Sequence, residues 1–302
     1  MKISHLLFIL PAAVVISCNG KHEPTINEYE IIVAASVAEA RVGYEGTSVL
    51  PSTFVMDIDQ SGSNYDYSLV KMTKKYNNEY ISDLQMLWAD KTHSNVGIKA
   101  MTIPYGLTEV DAVNPMTVSV SLDQNIQSNV TASDLLGATS AKGISVNKNV
   151  VNIAFNHLLS KLEITYEVGQ EFQGTQFNVK SIVLRNICTE GGFSYLNMDL
   201  DPSVKLDYGD VSMYHDASNK TAEAIFYPYK PATNPVLSMV VTSNNTEYTL
   251  ECPLAPNSNA GFVGGKRYKV NVGIAGSTIS QASATIANEW DIDSNNHDFA
   301  TE

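Results

Sequence analysis

Short stretches in which apolar and polar residues alternate, broken every 10–20 residues by turn formers, constrain this chain more than any other feature. Met116, Val118, Val120 and Leu122 alternate with Thr117, Ser119 and Ser121. Leu162, Ile164 and Tyr166 likewise alternate with Lys161, Glu163 and Thr165. A period of two puts one set of side chains on each face of a half-buried strand. Further strands are expected near residues 29–37, 53–58, 65–72, 78–87, 96–103, 150–168, 177–187, 192–196, 221–227, 237–242, 247–252, 267–274 and 278–286. Spacing of this kind predicts an all-β protein built as sandwiches. A length of 302 residues accommodates two such domains, with a division near residue 150. Abundant Ser, Thr, Asn, Val, Ile and Tyr suit strands and turns rather than helices.

The N-terminus has a different character. Lys2 is followed by an apolar run, Leu6 to Ile16, and then Ser17-Cys18. A positive start, about a dozen apolar residues and a small residue before the cut describe a secretory signal, too short to span a bilayer. A cysteine closing it resembles a bacterial lipobox. Residues 1–17 are then a signal peptide, and Cys18 is the lipidated first residue, held by more than one acyl chain. Residues 19–27 read as a polar tether. Export permits a disulfide, and the sequence leaves open whether Cys188 and Cys252 bridge or remain buried thiols.

The charge balance is acidic, with 19 Lys+Arg against 32 Asp+Glu. No basic footprint for nucleic acid exists. No HExxH, nucleophile elbow, Walker loop or dinucleotide fingerprint occurs, so no enzyme, cofactor or resident metal is expected. Gly264-Gly265-Lys266 lacks the other residues of a phosphate loop and reads as a turn. The spaced carboxylates Asp57/Asp59 and Asp291/Asp293 could meet Ca²⁺ but read first as solvated turns. His157 reads as a packed or turn-capping residue. Trp88, Tyr76 and Tyr80 offer rings for sugar stacking, with packing the plainer role.

Several segments together carry a family resemblance. Ser133-Asp134-Leu135-Leu136-Gly137-Ala138 precedes Phe155-Asn156-His157-Leu158-Leu159-Ser160-Lys161-Leu162-Glu163-Ile164. Ile98 to Gly106 and the closing Ile286 and Trp290 add weaker matches. The set resembles the fimbrillin family of lipoprotein-derived (type V) pilus subunits from anaerobic gut and oral bacteria. That resemblance implies two transthyretin-like β-sandwich domains, residues 42–150 and 151–302. It implies a structural role, stalk or tip, in a cell-surface pilus that supports adhesion or biofilm formation. Partners are then other pilin subunits, the outer membrane through lipid on Cys18, and an Arg-specific surface protease. A host or bacterial ligand is the remaining partner class.

It also implies maturation by removal of residues 18–41. The strand at 29–37, with Tyr29, Ile31 and Val33, would complete the first domain until a cut between Arg41 and Val42 releases it. A strand of another subunit then fills the groove by β-strand addition. The chain has only three arginines, Arg41, Arg185 and Arg267, and the last two fall within strand patterns where the fold should shield them. The candidate donor strand is residues 277–290, with Ile279 and Ile286. Two other readings fit the same residues: a lipid-anchored surface binding protein that never polymerises, and a basal anchor that keeps its lipid.

Overall fold

Alternating patterns become strands because each buries one face, and the chain supplies two cores for them to cover. The computed structural model describes residues 30–37, 50–61, 66–76, 78–90, 96–172, 175–254, 261–275 and 278–287, the last nine as backbone alone. The elements run β1 (Ile32–Val37), β2 (Thr53–Asp59), β3 (Tyr67–Lys74), β4 (Glu79–Ser82), β5 (Gly97–Met101), β6 (Met116–Ser119), α1 (Gln127–Ser133), β7 (Leu136–Thr139), β8 (Ile144–Asn147), β9 (Val150–His157) and β10 (Ser160–Val168). They continue as β11 (Phe177–Ser194), β12 (Asp199–Asp201), β13 (Asp207–Ser212), β14 (Tyr214–Asp216), β15 (Thr221–Phe226), β16 (Val236–Ser243), β17 (Thr246–Pro253), β18 (Arg267–Ala275) and β19 (Thr278–Ala287).

The first sheet has the order β1-β4-β3-β2-β5-β7-β9-β8, and β9 also pairs with β1. The pairing therefore closes into a ring. Its interior holds Phe54, Met56, Ile58, Val70, Met72, Tyr80, Trp88, Ile98, Val151, Ile153 and Phe155. Closure removes the edges that an open sheet would leave unpaired.

Two further sheets share the second core. One is β14-β15-β10-β18-β19. The other is β12-β11-β16-β17, with β6 and β13 also on β11. Leu162, Ile164, Val270 and Val272 from the former meet Ile182, Leu184, Leu237, Met239 and Leu250 from the latter in one buried cluster. Val55 of β2 and Met101 of β5 join this cluster from outside the ring. The expected division at residue 150 does not coincide with the sheets. β9 lies beyond it yet belongs to the ring, whereas β6 lies before it and pairs with β11.

The two conspicuous motif segments meet at the junction. Leu136 pairs with His157 and Gly137 with Asn156. The His157 Nδ1 lies 2.8 Å from a carboxylate oxygen of Asp134. The histidine thus ties the end of β9 to the turn before β7, as its packed reading expected. Gly264 abuts the turn between β9 and β10, where a Cβ would lie 2.4 Å from the Leu158 carbonyl oxygen. Only glycine allows that approach.

β11 departs from the sequence reading, which placed two strands there. The break expected at residues 188–191 does not occur, and β11 runs through it and on through Gly191 and Gly192. A Cβ on Gly191 would lie 2.3 Å from the Tyr227 ring, and one on Gly192 2.3 Å from the Asp201 carbonyl oxygen. These glycines accommodate close neighbours rather than a turn.

Candidate functional site

The strand β1 is the N-terminal strand of the ring and is paired on both sides. It runs parallel to β9, from Ile32 opposite Val150 to Val37 opposite Phe155. On its other side it runs antiparallel to β4, with Val33 opposite Tyr80. The Ile31 amide donates to the Met86 carbonyl, Ile32 to Asn149 and Ala35 to Asn78, each at 2.9 Å. A strand bonded on both sides is an interior member of the ring.

Its side chains divide by parity. Ile31, Val33, Ala35 and Val37 are buried, and Val33 is 1% exposed. Ile32 and Ser36 face outward. The inward set packs with Tyr80, Trp88, Val151, Ile153 and Phe155, which form the walls of its slot. Phe54 links those walls, with ring centroids 4.8 Å from Tyr80 and 5.1 Å from Phe155. The Tyr80 hydroxyl donates to the Pro51 carbonyl at 2.6 Å, and burial pushes its phenol pKa up to about 12. The slot is apolar, neutral and shaped for alternate side chains, which is what β-strand addition requires.

Of the residues named from sequence, Ile31 and Val33 are buried in this slot. Tyr29, Cys18, Arg41 and Val42 lie outside the described residues, as do Asp291, Asp293 and Trp290. Sequence reasoning names Tyr80, Trp88 and Phe155 only in other roles and passes over Val151 and Ile153, although they alternate visibly with their neighbours within residues 150–157.

The candidate donor strand corresponds to β19, an edge strand antiparallel to β18. Ile279 stands opposite Ile274 and Ile286 opposite Tyr268, and both of those partners are buried. The two isoleucines are an odd number apart, so strict alternation would separate them. A bulge between the Asn271–Ser283 and Val272–Gln281 pairs shifts the register and gives both a buried partner on β18.

The two remaining arginines differ. Arg267 is 8% exposed, as expected. Arg185 departs from the expectation of shielding, because its side chain is about half exposed, paired with Glu251 and Asp210. Its backbone is nevertheless held in β11, with Arg185 opposite Val236 and the next amide, Asn186, donating to Asp210 at 3.0 Å. A protease needs an extended, unpaired segment, so this peptide bond is guarded by pairing rather than by burial of its side chain.

The other sequence candidates have structural duties. Asp57 accepts the Leu69 amide at 2.6 Å, and Asp59 accepts the Ser61 amide at 2.9 Å. Trp88 and Tyr80 are buried and cannot stack on a sugar, whereas Tyr76 is exposed. Cys188 and Cys252 are buried and are not joined by a disulfide. Among the described residues no helix is long and apolar enough to cross a membrane.

Comparison with known proteins agrees with this architecture. A candidate cell adhesion protein from Bacteroides uniformis superposes with a TM-score of 0.59 at 16% identity, over 87% of this chain and 98% of that one. A second, from Bacteroides ovatus, gives a TM-score of 0.59 at 15% identity, over 88% and 99%. A tip fimbrial protein of Porphyromonas gingivalis, truncated at its C-terminus, gives 0.50 at 11% identity, over 86% and 99%. At these identities the likeness speaks for the fold. The search of curated proteins finds no match. The model of the fimbrillin-like family matches residues 47–290, and this chain therefore belongs to that family.

Proposed function

We propose that the chain is a structural subunit, stalk or tip, of a cell-surface pilus, and that it does no catalysis. It is exported as a lipoprotein held at the outer membrane by Cys18. An Arg-specific protease cuts between Arg41 and Val42, and residues 18–41 leave with their lipid. The vacated slot then receives a strand from another subunit, with β19 as the donor. In this reading the ring closed by β1 and β9 and the two-sheet unit around β10 and β11 act as the subunit's two β-domains, of the transthyretin kind, and the filament serves adhesion or biofilm formation.

The observation that carries the reading is the position of β1. An N-terminal strand closes the ring between β4 and β9 and buries four alternate side chains there. Losing it would leave two unpaired edges flanking an apolar groove, a template for another strand. Keeping it covalently attached until the cell surface prevents early assembly. The family match begins at residue 47, after β1 and after Arg41, which fits a mature subunit that starts beyond the cut.

The test is incubation of the purified chain with an Arg-specific protease, followed by N-terminal sequencing and light scattering. A new terminus at Val42 and growth of polymers are expected, and Arg41→Ala should abolish both. Cuts at other sites without a Val42 terminus, or polymers from Arg41→Ala at the normal rate, would refute the proposal.

A further inference from the structure

β19 lies in its own sheet with a bulge, whereas the slot holds a straight strand. In the ladder with β18, Asn271 stands opposite Ser283 and Val272 opposite Gln281, which leaves Ala282 as an extra residue without a ladder partner. In the slot, β1 runs from Ile32 to Val37 against Val150 to Phe155 with no residue skipped. A strand that leaves the one site for the other must therefore lose its bulge.

Losing it changes which residues share a face. Residues opposite one another in a ladder lie on the same face of the sheet. In its own sheet β19 sets Ile279, Gln281, Ala284 and Ile286 opposite Ile274, Val272, Val270 and Tyr268, and all four of those partners are buried. The bulge thus gives a glutamine a place on the apolar face. A straight β19 has two alternatives. One face would carry Ile279, Gln281, Ser283 and Thr285, three of them polar. The other would carry Ser280, Ala282, Ala284 and Ile286, of which only Ser280 is polar. The places that β1 fills belong to Ile31, Val33, Ala35 and Val37 and are walled by apolar residues. Polar side chains buried there without partners are costly, so the second face suits them better. With Ile286 in the place of either Ile31 or Val37, an alanine comes to the place of Ala35, where a larger side chain would overpack.

We infer that β19 enters the slot of a second copy of this chain straightened, with Ser280, Ala282, Ala284 and Ile286 turned inward. Ala282 then passes from an unpaired bulge to a buried contact, and Gln281 leaves the apolar face for the outside. The inference rests on the strand exchange proposed above and specifies the face that carries it.

Polymer growth of the full chain after cleavage at Arg41, followed by light scattering, tests it. Ala282→Asp places its charge at the bulge of the free subunit and should leave the denaturant midpoint of the uncut chain unchanged. In the slot the same charge is buried without a partner, so growth should fall at least a hundredfold. Ser283→Asp stands opposite the exposed Asn271 and faces outward in the slot, so its growth should match the wild type. Peptides of residues 278–287 make the test independent of how the variants fold. Added to the cleaved wild-type chain, the wild-type and Ser283→Asp peptides should cap growth at the same concentration, and the Ala282→Asp peptide only at one at least a hundredfold higher. Equal behaviour of the two aspartate variants, or greater harm from Ser283→Asp, would overturn the inference. A Val42 terminus without polymers from the wild-type chain would refute the strand exchange itself, and the inference with it.

Discussion

Val33 and Ile32 are neighbours on β1 with opposite fates, and that contrast makes a sharp test of the slot. Val33 is 1% exposed, whereas Ile32 is 41% exposed. Val33→Ala deletes two carbons from a packed interior. At about 0.8 kcal/mol per buried carbon, plus a cavity contribution, the cost is about 2–3 kcal/mol. Ile32→Ala deletes three carbons from the solvent side, and its cost should stay below about 1 kcal/mol. Both changes lower β-propensity in the same direction, so propensity does not explain a difference. Trp88 reports on the correct core, because it is buried among the slot walls, and the chain has only one other tryptophan, Trp290. Urea unfolding followed by fluorescence, in a Trp290→Phe background, should move the Val33→Ala midpoint down by about 1 M and the Ile32→Ala midpoint by less than half of that. Equal shifts, or none for Val33→Ala, would mean that β1 is not an interior strand. The reading of Arg41 cleavage as an event that empties a groove would then lose its basis.

Two further outcomes follow from local geometry. Gly191→Ala should lower the melting temperature by about 4–8 °C, because its methyl meets the ring of Tyr227, which is held by a hydrogen bond to the Gly192 carbonyl. Gly209→Ala, with ordinary contacts at 3.4 Å, should change it little. Burial lowers the His215 pKa below its usual 6.5, against the opposing pull of Asp216. The folded state therefore resists protonating it, so this contribution is intact above about pH 6.5 and is lost as pH falls below it. His215→Gln should flatten that part of the stability profile, measured by denaturant midpoints from pH 7 to 5. An unchanged slope would refute the role.

Strand content was legible because alternation is local. Residues 53–58, 237–242 and 247–252 each fall inside an observed strand, since their apolar faces meet a core directly. β13 was not legible, because Asp207, Tyr208, Gly209 and Asp210 carry no apolar period, and only pairing with β11 makes them a strand. α1 was missed for a similar reason, having just Val130 and Ser133 buried. Ile31 and Val33 could be named from sequence as part of an apolar strand, but the slot they fill could not. Parallel pairing of β1 with β9 joins segments far apart, and no local pattern announces it. The same holds for the bulge that gives Ile279 and Ile286 buried partners, because register belongs to the pair of strands and not to either one.

The parallel seam between β1 and β9 also sets a timetable for folding. Ser36 bonds to Ile153 across 117 residues, so the ring cannot close until the chain through β9 has emerged and collapsed. Closing so long a span is slow compared with the local hairpins β2–β3 and β16–β17. For that interval the groove between β4 and β9 is open in every newly made copy, with its own strand waiting on the same chain. Covalent attachment gives that strand a high effective concentration, and a rival copy must compete against it by diffusion. In the proposed reading, the N-terminal strand would therefore guard the groove from the moment the exported chain folds, before the cut at Arg41.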